Sequence, residues 1–434
     1  MGVIAQNGGG SDRLPEATGM EERPGLNGLG RALMAAGVLS PDWVSAYLAV
    51  PRSAVLPELI WPFDMAAGRS VPVSRTESPE VWREYVDADV PVVTQWDDGK
   101  RSGASPGEVP TSSASMPSVV FRMLQDVDLH PGHKVLEIGA ATLWNALLMA
   151  HRAGPGNVTT MEVDGALAAA ARATAARFGN SVRVLHGDGS RGHPEGAPYD
   201  RIMATCGVRS VPFAWVEQCR PGGVIVAPWG THYSHGDAVA RLMVAPDGQS
   251  AAGRFTGPVE FMKLRSQRPA AVDHSAYVTG SVADGEESST TLTEAEFLGE
   301  RFGPEGFVLG LRVPRCLHVV ADKGDGGRPV WFYGLGDGVS GGVGDGRPSD
   351  GQPSDELSDG ARDASWACVL FRDGDTARVW QSGPRRLWDE VEDAFHWWEG
   401  RGRPEHTRFG LTVTAEGERV WLDDPADSWA LTGP

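Results

Sequence analysis

Glu162 and Asp188 stand at the ends of two short apolar runs, and Glu137 with Gly139 closes an earlier one. At the carboxyl end of a parallel strand the backbone turns sharply, and a glycine there lets a ligand approach the main chain. An acid at the tip of the next strand can accept hydrogen bonds from both hydroxyls of a ribose. One after the third strand can accept from the exocyclic amine of an adenine. Acidic loop ends are common in ordinary α/β domains, so a lone glycine loop would mean little. Strand, tight loop, helix, strand and acid in that order make the sequence form of a nucleoside-binding α/β unit.

A second group able to do chemistry is Thr111-Ser112-Ser113-Ala114-Ser115-Met116-Pro117, ahead of a helical run from Val119 to Leu124. Short hydroxyls can hold a carboxylate without themselves competing as nucleophiles. They can equally cap the helix by accepting from its first N–H groups. Both roles are compatible, because a helix amino terminus also favours an anion. No Cys-His or Ser-His-Asp arrangement accompanies the pocket. Cysteines 206, 219, 316 and 368 share no metal or redox spacing and are expected to be small buried hydrophobes. His232 and His235 have an HxxH spacing without a third ligand, so a surface loop is expected there.

The elements that must position these groups follow from periodicity. KVLEI, VTTMEV, DRIMAT (200–205), GVIVAP (223–228) and AVARLMVA (238–245) predict strands, the last followed by a hairpin into AAGRFTG. LWNALLMAHR, from Thr142, and GALAAAARATAARFG, ending in Gly179, predict the crossover helices. The predicted fold is α/β: one open sheet covered by helices, Rossmann-like, with a carboxyl-terminal α+β module. Residues 1–24, rich in Gly, Pro and Glu, predict a disordered tail ahead of a domain over 25–272. Residues 273–290 predict a linker to a module over 291–434, within which 334–360 predicts a mobile acidic loop. In RRLWDEVEDAFHWWEG, the residues Leu387, Trp388, Val391, Ala394, Phe395 and Trp398 form one apolar helix face. The module carries 8 of the 15 tryptophans. Aromatic enrichment suits peptide recognition as well as a small core.

Composition narrows the function classes. The 434 residues (46.2 kDa) are 41% hydrophobic and 22% charged, as in globular proteins long enough for two or three domains. A net charge of −18 repels polyphosphates and argues against a nucleic-acid substrate. The apolar stretches are too short to span a bilayer and the amino terminus lacks a signal-peptide pattern, so a cytoplasmic location without membrane partners is expected.

VLEIG, the GDG triplet ahead of GHPEGAPYDRI, and WVEQCRPGGVIVAPWG resemble the protein L-isoaspartyl/D-aspartyl O-methyltransferases, from roughly Leu39 to Arg268. IWPFDM, PVVTQWDDG, TSSASMPS and FGLTVTAEGERVWLDD look most like the long actinobacterial-type members that accompany lanthipeptides and graspetides. The resemblance implies S-adenosyl-L-methionine (AdoMet) as cofactor and a peptide or protein bearing Asp or isoaspartate as substrate, in that branch a modified precursor peptide. It implies cofactor contacts from Glu137, Gly139, Ala141, Leu143, Glu162, Val163, Asp188, Gly189 and Thr205. It places Ser113 at the family's active-site hydroxyl, with Ser112 and Ser115 as further candidates. One departure stands out. The family's GxGxG loop reads Gly139-Ala140-Ala141-Thr142-Leu143 here. A side chain at either altered position is expected to crowd the cofactor, and a positive φ there would be strained. Glycine at both positions is then expected to tighten binding. Protein repair and a non-catalytic binding fold are the rival functional readings. A chain ended near Asp273 is expected to keep the cofactor site and to lose activity on the precursor.

Overall fold

The computed structural model describes residues 25–64, 68–101, 103–268, 272–336, 364–372 and 376–431. The tail expected over 1–24 and most of the loop expected over 334–360 lie outside these residues. Helices α1 (Gly28–Ala35) and α2 (Pro41–Ala49) turn Leu29, Leu33, Trp43 and Val44 inward. They precede a small antiparallel sheet of β1 (Leu59–Asp64), β2 (Arg69–Ser70), β3 (Val73–Ser74), β4 (Val92–Trp96) and β5 (Pro110–Ala114). Helix α3 (Pro79–Val86) lies between β3 and β4, and α4 (Pro117–Asp126) leads into the main sheet.

Strands β6 (Val135–Ile138), β7 (Val158–Glu162), β8 (Val182–His186), β9 (Tyr199–Ala204) and β10 (Cys219–Trp229) run parallel in the order β8-β7-β6-β9-β10. Helices α5 (Trp144–Ala153), α6 (Gly165–Arg177) and α7 (Phe213–Gln218) make the crossovers. β6 and β7 are buried at every residue, as parallel strands covered on both faces are. The Asp164 carboxylate caps α6 by accepting from Ala166 and Leu167 N–H, and Gly179, at φ +69°, stops the chain beyond its end. Strand order reverses between β6 and β9, where ligands sit in open α/β sheets. This is a Rossmann-like open α/β sheet. Antiparallel β11 (Asp237–Val244) and β12 (Ser250–Val259) follow.

The second half begins with β13 (Glu286–Thr290), α8 (Glu294–Leu298), α9 (Glu305–Arg312) and β14 (Cys316–Val320). It continues through β15 (Arg328–Gly334), β16 (Trp366–Phe371), β17 (Ala377–Ser382) and α10 (Leu387–Gly400) to β18 (Phe409–Thr414), β19 (Gly417–Leu422) and β20 (Ser428–Ala430). A sheet ordered β13-β17-β16-β15-β14 is covered by α10, whose six expected apolar residues are all buried.

Two features differ from the sequence reading. The end of the expected linker, Glu286–Thr290, is an edge strand on β17. The final hairpin leaves the carboxyl-terminal module and joins the main sheet: β18 pairs with β12, giving β20-β19-β18-β12-β11-β10-β9-β6-β7-β8. The core follows the sheet. Phe307 packs 6.2 Å from Trp229 and 5.0 Å from Phe255, with Phe409 beyond it at 6.5 Å. The boundary expected at 273–290 therefore does not divide the core. Without β18, β12 would be an edge of unpaired backbone groups.

Candidate active site

The loop after β6 is set by three left-handed backbones. Gly139 has φ +101°, and a Cβ there would meet Thr205 Oγ1 at 2.7 Å. Ala141 (φ 42°) and Leu143 (φ 70°) also have positive φ, at the two positions where glycine was expected. Each costs on the order of 1 kcal/mol relative to glycine. Their side chains part company: Ala141 lines a cleft, whereas Leu143 is 0% exposed and packs into the core. The expected crowding by Leu143 is thus corrected, and the two substitutions should behave oppositely. Ala141→Gly should stabilise the protein by about 1 kcal/mol through relief of strain. Leu143→Gly should destabilise it by roughly 2–4 kcal/mol, because the cavity outweighs the relief. Urea melts of both variants check this, and equal shifts of the same sign would refute it.

Glu162, 7% exposed at the end of β7, accepts from Ala141 N–H (3.0 Å) and Asp164 N–H (3.1 Å), one through each oxygen. It fixes the shape of the loop, and each oxygen keeps a lone pair for a ligand hydroxyl. The Val163 carbonyl beside it lies 3.2 Å from His186 Nε2. Asp188, half-buried beyond β8, accepts from Ser190 N–H (3.0 Å) and Oγ–H (2.8 Å). Gly189 follows with no room for a side chain: a Cβ would stand 2.4 Å from Ile138 Cγ2. The Thr205 hydroxyl donates to Gly139 O at 2.6 Å, fastening the end of β9 to the loop.

Glu137 is the correction among the acids. It does not line the cleft but lies beneath it, 1% exposed, accepting from Thr160 Oγ1 (2.5 Å) and Asn145 Nδ2 (2.8 Å). Burial pushes its carboxyl up to about 7. Its place is to hold Asn145, which does line the cleft and whose Oδ1 is buried without a partner among the described residues. That orphan acceptor wants a cationic or N–H donor, and the α-ammonium of AdoMet is one. With acids at two adjoining strand ends for ribose and adenine, the residues present fit AdoMet. Sequence reading missed Asn145 because nothing local marks an orphan oxygen.

The cleft opens onto the hydroxyl cluster. Pro110–Ala114 is a strand, so its side chains alternate. Ser113 lines the cleft, as does Ser115 just beyond the strand; among the described residues neither hydroxyl has a hydrogen-bond partner. Ser112 points the other way, 5% exposed, accepting from Thr94 Oγ1 at 3.1 Å, and is corrected out of the site. The helix-cap role also falls away. Met116 stands at the start of α4 without a side-chain cap, and Ser118 N–H donates to Asp89 Oδ1 instead.

Arg52, unmarked in the sequence, anchors this segment. Its buried guanidinium donates to the carbonyls of Val86, Ala88, Val90, Ala114 and Ser115, not to a carboxylate. Burial lowers it to about 10. Across the cleft, Phe261 is held by a short loop in which buried Lys263 pairs with Asp237 and donates to Phe261 O. Arg265 and Arg268 reach Asp98 at 2.9 and 2.8 Å, and Gln95 Nε2 donates to Asp164 at 3.2 Å. These contacts give PVVTQWDDG its role: it clamps the small sheet to the loop following β7. His232 is half-buried, and no group of metal-ligating side chains occurs among the described residues. Among them no helix is long and apolar enough to cross a membrane.

Residues 83–267 match the family described as Protein-L-isoaspartate(D-aspartate) O-methyltransferase (PCMT). The chain is similar to the protein-L-isoaspartate O-methyltransferase of Hyperthermus butylicus, 42% identical over 129 residues, 27% of this chain and 54% of that protein. It is also similar to the one from Methanopyrus kandleri, 39% identical over 154 residues, 35% of this chain and 61% of that protein. The chain thus spans little more than half the length of the curated relatives it matches. Among solved structures it is similar to a protein-L-isoaspartate O-methyltransferase with a TM-score of 0.49 and 21% identity, over 91% of this chain and 99% of that one. A Plasmodium falciparum homologue solved with S-adenosyl-L-homocysteine gives a TM-score of 0.41 and 15% identity, over 55% and 96% of the two chains.

Proposed function

We propose, from that family match and the cleft on which it falls, that the chain is an AdoMet-dependent carboxyl O-methyltransferase. Its substrate is an aspartyl or isoaspartyl residue of a peptide. The observation that carries the reading is the pair of unengaged hydroxyls, Ser113 and Ser115, facing the Gly139–Thr142 loop with Arg52 behind them. When bound, AdoMet supplies an electrophilic methyl. A substrate carboxylate is already ionised at neutral pH, so no general base is required. The chain's task is orientation. Ser113 donates to one carboxylate oxygen and leaves the other free to attack, while the buried charge of Arg52 favours an anion there. Val120, Met123, Met203 and Phe261 keep water from the cleft.

The ester then closes onto the next backbone nitrogen, expelling methanol and leaving a succinimide that opens to isoaspartate or aspartate. We place this step in the maturation of a ribosomally made peptide. The branch motifs quoted above support that placement, and so does the extent of chain, 268–434, beyond the family match. Repair of isoaspartyl proteins uses the same first step and is favoured by the description of the matched family.

Incubation with a constrained Asp peptide should add about 14 Da and then, on closure, leave a product about 18 Da below the start. Ser113→Ala should slow methylation at least tenfold and leave closure of preformed ester unchanged. Methylation of isoaspartyl peptides alone would establish repair. Methylation of neither by a protein that binds AdoMet would leave only the binding reading.

A further inference from the structure

Two arginines with no acidic partner converge on one indole at the far end of the main sheet. Arg312, the last residue of α9, stacks over Trp397 (4.7 Å) and Trp429 (5.1 Å). Arg401, just past α10, stacks over Trp397 at 4.6 Å. The two rings meet edge to face at 5.7 Å, and Trp429 Nε1 donates to Leu311 O, fixing the platform to the end of α9. Both arginines are exposed, and among the described residues neither has a carboxylate or hydrogen-bond partner. Elsewhere Arg378, which stacks on Trp380, also pairs with Glu287, and Arg403, beside Trp398, pairs with Glu399.

Cations at helix carboxyl ends are ordinary, since each offsets a dipole by a few tenths of a kcal/mol to about 1. That explains one arginine per helix. It does not explain why two like charges share a ring in a chain of net charge −18 without an acid between them. Arg312 is held below its usual range by partial burial and then by the charge of Arg401. A stacked guanidinium keeps its N–H edge free, and two such edges present planar, bidentate donors suited to carboxylates.

We infer that Arg312, Arg401, Trp397 and Trp429 form a docking site for an acidic, carboxylate-bearing stretch of the peptide substrate, separate from the methylation cleft. That the stretch belongs to a substrate rests on the function proposed above; the binding chemistry does not. β20 and β6 stand seven places apart in the sheet, about 34 Å at 4.8 Å per strand. An extended peptide of about ten residues spans that distance. The target residue and the recognised stretch would therefore lie about that far apart.

The test uses the full chain and a short fluorescein-labelled peptide of alternating Asp and Ala, with its Asn counterpart, followed by anisotropy. The wild type should bind the Asp peptide, more weakly as salt rises, and should bind the Asn peptide at least about tenfold less well. The double variant Arg312→Ala/Arg401→Ala should weaken binding of the Asp peptide about tenfold or more, with unchanged circular dichroism and melting. Arg312→Lys should fall between, keeping charge but losing the planar fork. Methylation of a short isoaspartyl peptide without acidic neighbours should not change in the double variant. Equal binding by wild type and double variant would overturn the site. So would tighter binding of a single-stranded DNA oligomer through the same arginines. If the Asp peptide binds through these residues but nothing is methylated, the proposed activity fails while the site stands.

Discussion

Glu162→Ala is expected to weaken AdoMet binding about a hundredfold. The carboxylate is nearly buried and accepts two main-chain N–H groups, one from Ala141 in the loop and one from Asp164 at the cap of α6. Removing it leaves both donors unpaired at the mouth of the cleft and deprives a ribose of its acceptor. Hydrogen bonds to charged groups contribute about 1.5–3 kcal/mol each, so a net loss near 3 kcal/mol, about two decades in affinity, is the conservative figure. Glu162→Gln keeps one acceptor and should lose about tenfold. Calorimetric titration with AdoMet measures both. An Ala variant that binds as tightly as the wild type would remove this residue from the cofactor site.

Ending the chain after Asp273 is expected to abolish cooperative folding, contrary to the sequence reading that the cofactor half stands alone. Trp229, Tyr233 and Phe255 are each 1% exposed or less, and residues beyond that point cover them. Exposing three such side chains costs about 2 kcal/mol each, a total comparable with the 5–15 kcal/mol that holds a whole domain. The truncation also strips β18 from β12 and removes Glu418, which accepts from Val211 N–H (2.6 Å) and Trp229 Nε1 (3.2 Å). Near-ultraviolet circular dichroism and a thermal melt of the shortened chain decide the matter. A sharp transition with AdoMet affinity intact would show that the first half holds its own core.

What the sequence made legible was local. β6 to β12, the crossover helices α5 and α6 and the buried face of α10 follow from apolar period and stop signals within a few residues of where they occur. The acids at strand ends were legible for the same reason, because position along a strand fixes their place. Which serine faces the cleft was not, since the hydroxyl cluster reads as a helix cap, whereas Pro110–Ala114 is extended and alternation turns Ser112 away from Ser113. Glu137 read as a ligand because it ends a strand, but pleating sends it beneath the loop to Asn145. The run VLGLRVPRCLHVV, apolar but for Arg312, Arg315 and His318, splits at Pro314 into the helix α9 and the strand β14. The least legible feature was the partner of the last hairpin. Its alternation predicts two strands, but pairing with β12 is decided by an edge far away in sequence.

That distant pairing orders events during synthesis. β12 ends at Val259 and its neighbour β18 begins at Phe409, so at 5–20 residues per second the edge waits about 8–30 s for its complement. Throughout that interval the first half cannot complete its core, and the β12 segment keeps a row of unpaired backbone donors and acceptors beside Ala251 and Phe255, which the finished chain buries. Such an edge is a template for any passing strand, including the same edge on a neighbouring nascent chain. The vulnerable species in the life of this protein is therefore the unfinished one, and its yield in a cell depends on translation speed and chaperone access over that window.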